Sequence, residues 1–277
     1  MLPQCWSKRA FPFNRLRGRD SRLISREIDL VTVEDMSAAM DSHELFIEYQ
    51  PIVLLSDASC IGAEALVRWR RDDTILRPSE FLRAIDSTPL SGRLTYWVID
   101  TVAADLGPWL SEHPGTQISI NVPPEILGRG GLQYAAERSG LSAHANQIVL
   151  EITEHGVPDQ LGLQALQMMA ERGLRVALDD VTLTSVNLAL LTRCNFSVIK
   201  LDRQMTAQLE PAAPEPQWLP ALSSLLRNSE LKIVAEGVET QYQADVLRGA
   251  GVQMAQGYLF SASLAAPALI AYHASVC

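Results

Sequence analysis

The stretch "RVALDDVTLTSVN", residues 175–187, ends a short apolar run with two adjacent aspartates. Neighbouring carboxylates repel each other, so a chain that holds Asp179 and Asp180 side by side needs a compensating positive charge. In a strand, Arg175, Ala177 and Asp179 project to one side. Asp180 faces the other way unless the strand ends there and turns it inward. The same design, a short β-like run closing on a polar group, recurs on both sides of this stretch. Upstream lie "LFIEYQPIVLL", "CIGAEALVRW", "QISINV" and "IVLEIT"; downstream lie "SVIKLD", "LKIVAEGVE" and, more weakly, "GVQMAQGYLF".

Helical spacing fills the intervals: "SEFLRAID" with "LTYWVIDTVAADLGPWL", then "GLQYAAERSG", "QLGLQALQMMAERG", "SVNLALLTRC", "WLPALSSLLRNS", "TQYQADVLRGAG" and a final "AAPALIAYHAS". Gly173, Gly249 and Gly251 stand where helices should stop. Ser79 is expected to cap the helix carrying Phe81, Leu82 and Ile85. The proline-rich "EPAAPEP", 210–216, should be a surface loop. Eight β-like runs alternating with helices in 277 residues predict an α/β chain, with a closed (β/α)8 TIM-like barrel favoured over an open doubly wound sheet. The glycine-rich phosphate loop typical of the open alternative is missing.

Composition narrows the function. Apolar residues make up 47% of the chain and charged residues 20%, with a net charge of −9; this is a globular composition and a poor one for binding nucleic acid by phosphate neutralisation. Cys5, Cys60, Cys194 and Cys277 are scattered, without zinc spacing, which predicts a reduced, cytoplasmic protein. No apolar run approaches a membrane span, and the N-terminus has no apolar stretch like that of a secretory signal. Residues 1–43 read as a basic extension, flexible or partly helical. Within it Trp6, Phe11 and Phe13 sit among arginines, a composition that suits either a solvated arm or a contact with a membrane, a protein partner or the domain itself. The domain proper is expected over 44–277. The residues ahead of it are too few for a sensory domain.

The polar groups at the strand ends are Glu64 with Arg68 beyond it, Asn121, Glu151 with Glu154, Asp179 and Asp180, Lys200 and Asp202, Glu236 and Glu239, and Gln256. Taken singly, each is ordinarily a solvated strand end or a helix cap; Asn121 before "VPP" suits a turn, and Glu239 neighbours a helix start at Thr240. In a parallel barrel, however, all these ends converge on one rim, where barrel active sites sit. Carboxylates without a Cys or His cluster suit hard divalent ions such as Mg²⁺ or Mn²⁺. His155 reads as a loop residue. Asp179 is placed to bridge two ions, with Asp180 on the second, and two such ions are suited to phosphoester cleavage. Lys200 can orient the nucleophile or neutralise a phosphate oxygen. A Schiff base on Lys200 is the minor alternative, and it would not need so many oxygen ligands.

"GAEALVRW" resembles the Glu-Ala-Leu signature of bacterial EAL domains, which hydrolyse cyclic di-GMP. "YQPIV", "SINV", "LEITE", "ALDD", "IKLDR", "IVAEGVET" and "AQGYLF" follow in family order and at family-like spacing over about residues 44–270. The resemblance implies a barrel whose first strand runs antiparallel to the others. It also implies Mg²⁺ or Mn²⁺ and cleavage of one phosphodiester to give linear pGpG. By position it implies Glu64, Asn121, Glu151 and Asp179 as ligands of one ion, and Asp179, Asp180 and Glu236 for a second. Lys200 would contact the attacking water, with Gln50 on a base and Arg68 on a phosphate. Asp202, Glu239 and Gln256 match further active-site positions, and Glu154 matches the residue that anchors the loop after the aspartate pair. In the family that loop supports the second metal and contributes to dimer contacts, so the resemblance implies a homodimer. Two departures stand out. The family continues the pair as "DDFGTGYSS", where Val181, Thr182 and Thr184 stand here, and Gln253 replaces an aspartate near the rim. The altered loop raises the alternative of a weak or inactive domain that acts as a cyclic di-GMP receptor or a protein-interaction module.

Overall fold

In the computed structural model, the described residues are 31–153, 158–182, 196–227 and 229–276. They form one compact unit from Val31 onward. Its strands are β1 (Leu45–Leu54), β2 (Cys60–Arg71), β3 (Thr74–Leu76), β4 (Gln117–Asn121), β5 (Ile148–Thr153), β6 (Arg175–Val181), β7 (Val198–Leu201), β8 (Lys232–Ala235) and β9 (Met254–Ala255). Helices α1 (Val33–Asp41), α2 (Pro78–Phe81), α3 (Pro89–Glu112), α4 (Gly131–Ser139) and α5 (Gln160–Glu171) come first. Further helices span Arg203–Thr206, Trp218–Arg227, Gln241–Gly249 and Ala266–Val276. The expected helix "SVNLALLTRC" and Glu154, His155, Thr184, Cys5, Cys194 and Cys277 lie outside the described residues.

The sheet closes as expected. The order is β1-β9-β8-β7-β6-β5-β4-β2, and β1 also pairs with β2, so the edges meet. From β2 round to β9 the pairings are parallel, and β1 is antiparallel to both neighbours. The cause is local. Only residues 55–59 join β1 to β2, too short for the crossover that a parallel pair requires. Asp57 secures that turn by accepting from both the backbone N–H and the hydroxyl of Ser59, at 3.0 and 2.7 Å. Reversal carries the early part of β1 to the mouth, and Gln50 sits directly opposite Glu64. The hairpin strand β3, added to β2 through Asp72 and Asp73, was not apparent from the sequence pattern.

Strand alternation sorts the side chains. Tyr49 is fully buried on the outward side of β1. It donates to Asp105 of α3 at 2.7 Å, and its backbone pairs with Leu264, which pins the segment after β9 to β1. Inside the barrel, Ile52, Val149, Ala177, Val198, Val234 and Met254 pack into one cluster. One strand position pair above them come Gln50, Glu151, Asp179, Lys200, Glu236 and Gln256. An apolar floor thus lies beneath a polar layer, as the period of two demands. A separate cluster joins Met36, Ala39 and Met40 of α1 to Trp69, Phe81, Ile85, Leu90 and Leu94.

Two of three local expectations are refined. Arg77, not Ser79, occupies the cap position of α2, because Pro78 takes the first helical turn and Glu80 accepts from the Arg77 N–H at 2.7 Å. Residues 210–216 are loop as expected. Gln253 precedes β9 and so lies at the end of the barrel opposite the mouth. Its Oε1 accepts from the Ile233 N–H at 2.9 Å, at the start of β8. The expectation that it changes charge at the rim is therefore overturned.

Gly62 marks where β2 and β4 approach most tightly: an added Cβ would lie 2.1 Å from the Gln117 carbonyl oxygen. Backbone cannot yield as a flexible side chain does. Gly62→Ala is therefore expected to destabilise the domain by about 1–3 kcal/mol, read as a lower denaturation midpoint. An unchanged midpoint would contradict the strand spacing described here.

Candidate active site

Four carboxylates from four strands meet at one ammonium group. The Lys200 Nζ lies 3.0 Å from Glu64 Oε2, 2.8 Å from Glu151 Oε2, 3.1 Å from Asp179 Oδ1 and 2.8 Å from Glu236 Oε1. Glu64, Glu151, Asp179 and Lys200 are all buried. Asn121 donates to Glu64 Oε1 at 2.9 Å. Gln256 donates to Glu64 Oε2 at 2.8 Å and to Glu236 Oε1 at 3.2 Å. One residue named from sequence at or just past the end of each of β2, β4, β5, β6, β7, β8 and β9 is thus brought into one network.

The aspartate pair has its own device. Between Leu178 and Val181 the β6–β7 register slips, because one extra residue sits in β6. Asp180 takes that place with φ +57°, a left-handed conformation that aspartate tolerates better than most residues. Its N–H donates to Asp179 Oδ1 at 2.9 Å. This bulge is what lets two consecutive residues serve one site; without it alternation would turn Asp180 away. Val181 follows at 0% exposure and pairs with Leu201, so the strand continues where the loop was expected to begin.

One ammonium cannot balance five carboxylates. Burial pushes the Glu151 carboxyl well above its usual range, and the Glu64 charge adds to it. Asp179 is raised by burial against the pull of Lys200. Burial and then Asp179 push Asp180 up to about 6. Burial, with Asp179 and Glu64, pushes Glu236 up to about 8 despite Lys200. Glu64 alone among these is lowered: burial works against it, but Lys200, Gln256 and Asn121 prevail. The surrounding carboxylates hold Lys200 well above its ordinary value although burial opposes this. The excess negative charge fits divalent cations. Two groups, Glu64 with Glu151 and Asp179, and Asp179 with Asp180 and Glu236, offer ligand oxygens within 4.8 Å of one another. Buried Glu151 Oε1 and Gln256 Oε1 have no hydrogen-bond partner among the described residues, and oxygen-only donors suit a hard ion.

The remaining named residues surround this network. Gln50 is half-buried at the mouth, and Arg68 lies four positions beyond Glu64 on β2. Asp202 caps the helix Arg203–Thr206, accepting from the Gln204 N–H at 2.6 Å. Glu239 is exposed beside the helix start that Thr240 caps. Glu48 was overlooked in sequence, although it stands two residues before Gln50 on the same side of β1, a period-two signal. A cavity of about 390 Å³ lies outside the barrel wall, between α4 and α5. Its lining is apolar and lacks the carboxylate cluster, so the chemistry belongs to the mouth.

Two outcomes are expected. Carboxyls raised above their unfolded values bind more protons folded than unfolded, so cation-free stability falls as pH climbs through Asp180 and Glu236. A bound cation displaces those protons, so its affinity rises over the same window. The increase in Tm given by a fixed divalent-cation concentration should therefore be larger near about pH 8.5 than near about pH 5.5; the reverse order would refute the site. Lys200→Met should lose on the order of 3–5 kcal/mol without cation, measured by denaturant unfolding, and divalent cation should restore part of it.

Comparison with known proteins places this geometry. The EAL domain family matches residues 33–263. The Probable cyclic di-GMP phosphodiesterase PdeB of Escherichia coli (strain K12) is 32% identical over 230 residues, covering 82% of this chain and 44% of that protein. The Cyclic di-GMP phosphodiesterase NbdA of Pseudomonas aeruginosa is 30% identical over 255 residues, covering 89% of this chain and 32% of that one. The chain thus spans less than half the length of these two relatives. The solved PaMucR phosphodiesterase, in its c-di-GMP complex, superimposes with a TM-score of 0.76 at 29% identity, over 86% of this chain and 98% of that one. With its closed barrel, its carboxylate-lined mouth and a family match running almost the length of the described domain, the chain belongs to the EAL domain family.

Proposed function

We propose that the chain hydrolyses cyclic di-GMP to linear pGpG and so lowers the level of this second messenger. The observation that carries the reading is the convergence of Glu64, Glu151, Asp179 and Glu236 on Lys200 at the barrel mouth. The names of the matching relatives support the same substrate.

The proposed cofactors are two Mg²⁺ or Mn²⁺ ions. Glu64, Asn121, Glu151 and Asp179 would hold one, and Asp179, Asp180 and Glu236 the other. When bound, such ions lower the pKa of water and offset charge on the phosphate. The protein's own groups do the rest. The carboxylates around it hold Lys200 protonated; with cations taking up those carboxylates, its N–H groups would turn to the oxygen of the attacking water or of the phosphate. Attack at phosphorus breaks one P–O bond of the ring and leaves a terminal phosphate and a free hydroxyl. Gln50 would meet a guanine and Arg68 a phosphate, with Asp202, Glu239 and Gln256 completing the site. Glu154 would anchor the loop after the aspartates. A cytoplasmic homodimer, with the basic N-terminal extension available to a protein partner, completes the proposal. Among the described residues no helix is long and apolar enough to cross a membrane.

A second reading, a receptor or interaction module with little turnover, is favoured by one feature. Val181 is buried strand where the family has phenylalanine, and Thr182 follows in place of glycine. Glycine reaches backbone conformations that threonine resists.

Incubation with cyclic di-GMP and Mg²⁺ or Mn²⁺, resolved by chromatography, should yield pGpG, and Glu64→Gln should reduce the rate by about 10²-fold or more. Binding without product over hours would move the chain to the second reading. In that case Val181→Phe with Thr182→Gly and Thr184→Gly should raise turnover.

A further inference from the structure

Arg68 is held at the mouth by groups that the proposed reaction does not use. Its side chain is only 11% exposed, and its Nε donates to Glu48 Oε2 at 2.9 Å. Its Nη2 donates to Ser263 Oγ at 3.2 Å and its Nη1 to the Val67 carbonyl at 3.0 Å. Ser263 in turn donates to Glu48 Oε2 at 2.6 Å, which closes a triangle. The backbone pairing of Leu264 with Tyr49 fixes Ser263 in place. A guanidinium has five N–H groups, so two, one on each terminal nitrogen, have no partner among the described residues. The paired terminal nitrogens of a guanidinium are the fork that grips a phosphate.

The location fits that use. Glu48 pairs with Leu66 and Gln50 with Glu64 across β1 and β2. At about 3.3 Å per residue, Arg68 stands about 13 Å along the strand from Glu64. An arginine held there meets the part of a dinucleotide that extends away from the carboxylate cluster. Its charge, however, is largely cancelled by the carboxylate that holds it.

We propose that Glu48 is a positioning residue that sets affinity for the anionic nucleotide: it aims the Arg68 fork and at the same time attenuates the arginine's charge. The proposal rests on cyclic di-GMP being the ligand. Glu48→Gln keeps an oxygen that accepts from Arg68 and Ser263 but removes the negative charge. Glu48→Ala removes both.

The test is calorimetric titration of cyclic di-GMP into the full chain in EDTA, which excludes turnover, repeated at two salt concentrations and with Mg²⁺ for the wild type. Glu48→Gln should bind about threefold to tenfold more tightly than wild type, with steeper salt dependence. Glu48→Ala should bind more weakly than Glu48→Gln, since the freed guanidinium loses its aim. In an Arg68→Ala background the gain from Glu48→Gln should vanish, a coupling that a merely structural role for Glu48 would not produce. Affinities of Glu48→Gln and Glu48→Ala within twofold of wild type would overturn the proposal while leaving the ligand reading intact. A gain that persists without Arg68 would overturn it too. A wild type that binds no cyclic di-GMP with or without Mg²⁺ would remove the ligand reading and this proposal together.

Discussion

Everything at the barrel mouth depends on the Lys200 ammonium and the four carboxylates packed within about hydrogen-bonding distance of it. An ammonium has three donors, and its single charge stands against four from its immediate neighbours and a fifth from Asp180. Such an arrangement cannot persist fully ionised in a buried place without more positive charge or some protonation. Burial and mutual repulsion raise the Glu151, Asp179, Asp180 and Glu236 carboxyls, which favours taking up protons, and divalent cations would relieve the same excess. Under the proposed function the same residues would trade protons for metal, and that exchange would give the metal dependence its physical content.

The barrel makes this crowding possible. Each inward-facing pair of positions sets an apolar residue below a polar one: Val149 below Glu151, Ala177 below Asp179, Val198 below Lys200, Val234 below Glu236 and Met254 below Gln256. The floor closes one end of the site and keeps the dielectric low. Charges in the layer above then act strongly on one another. Short strands suffice: β7 holds Val198 of the floor and Lys200 of the mouth within four residues, and β8, also of four, carries Val234 with Glu236 just past its end. Further out, the mouth is built differently. Arg68, Glu48 and Ser263 come from β1, β2 and the segment after β9, and they meet only because β1 is reversed and stitched to Leu264. Under the proposed function the inner layer would carry the chemistry and the outer one would hold the ligand.

The reach and limits of sequence reading can be seen at particular residues. Alternating β and helical runs, with polar groups at their ends, marked out the barrel and nearly every member of the carboxylate network, because a period of two and a shared strand direction leave little freedom. Gln253 was misplaced because its distance along the chain from Gln256 is small, while its position across the barrel is at the opposite end. Glu48 went unremarked because its importance comes from Arg68 and Ser263, partners 20 and 215 residues away. The hairpin strand β3 is three residues long, too brief for any periodicity to show.

What the sequence by itself determined was the class of fold and the inventory of oxygen ligands, since both follow from local periodicity and residue chemistry. What only the tertiary structure decided was how adjacent aspartates can face one site, and which charge holds the mouth arginine. The first needed an extra residue in β6 and a positive φ at Asp180. The second needed three chain segments to close on one guanidinium. Both depend on strand register, which is set by long-range pairing and by no single stretch of the chain.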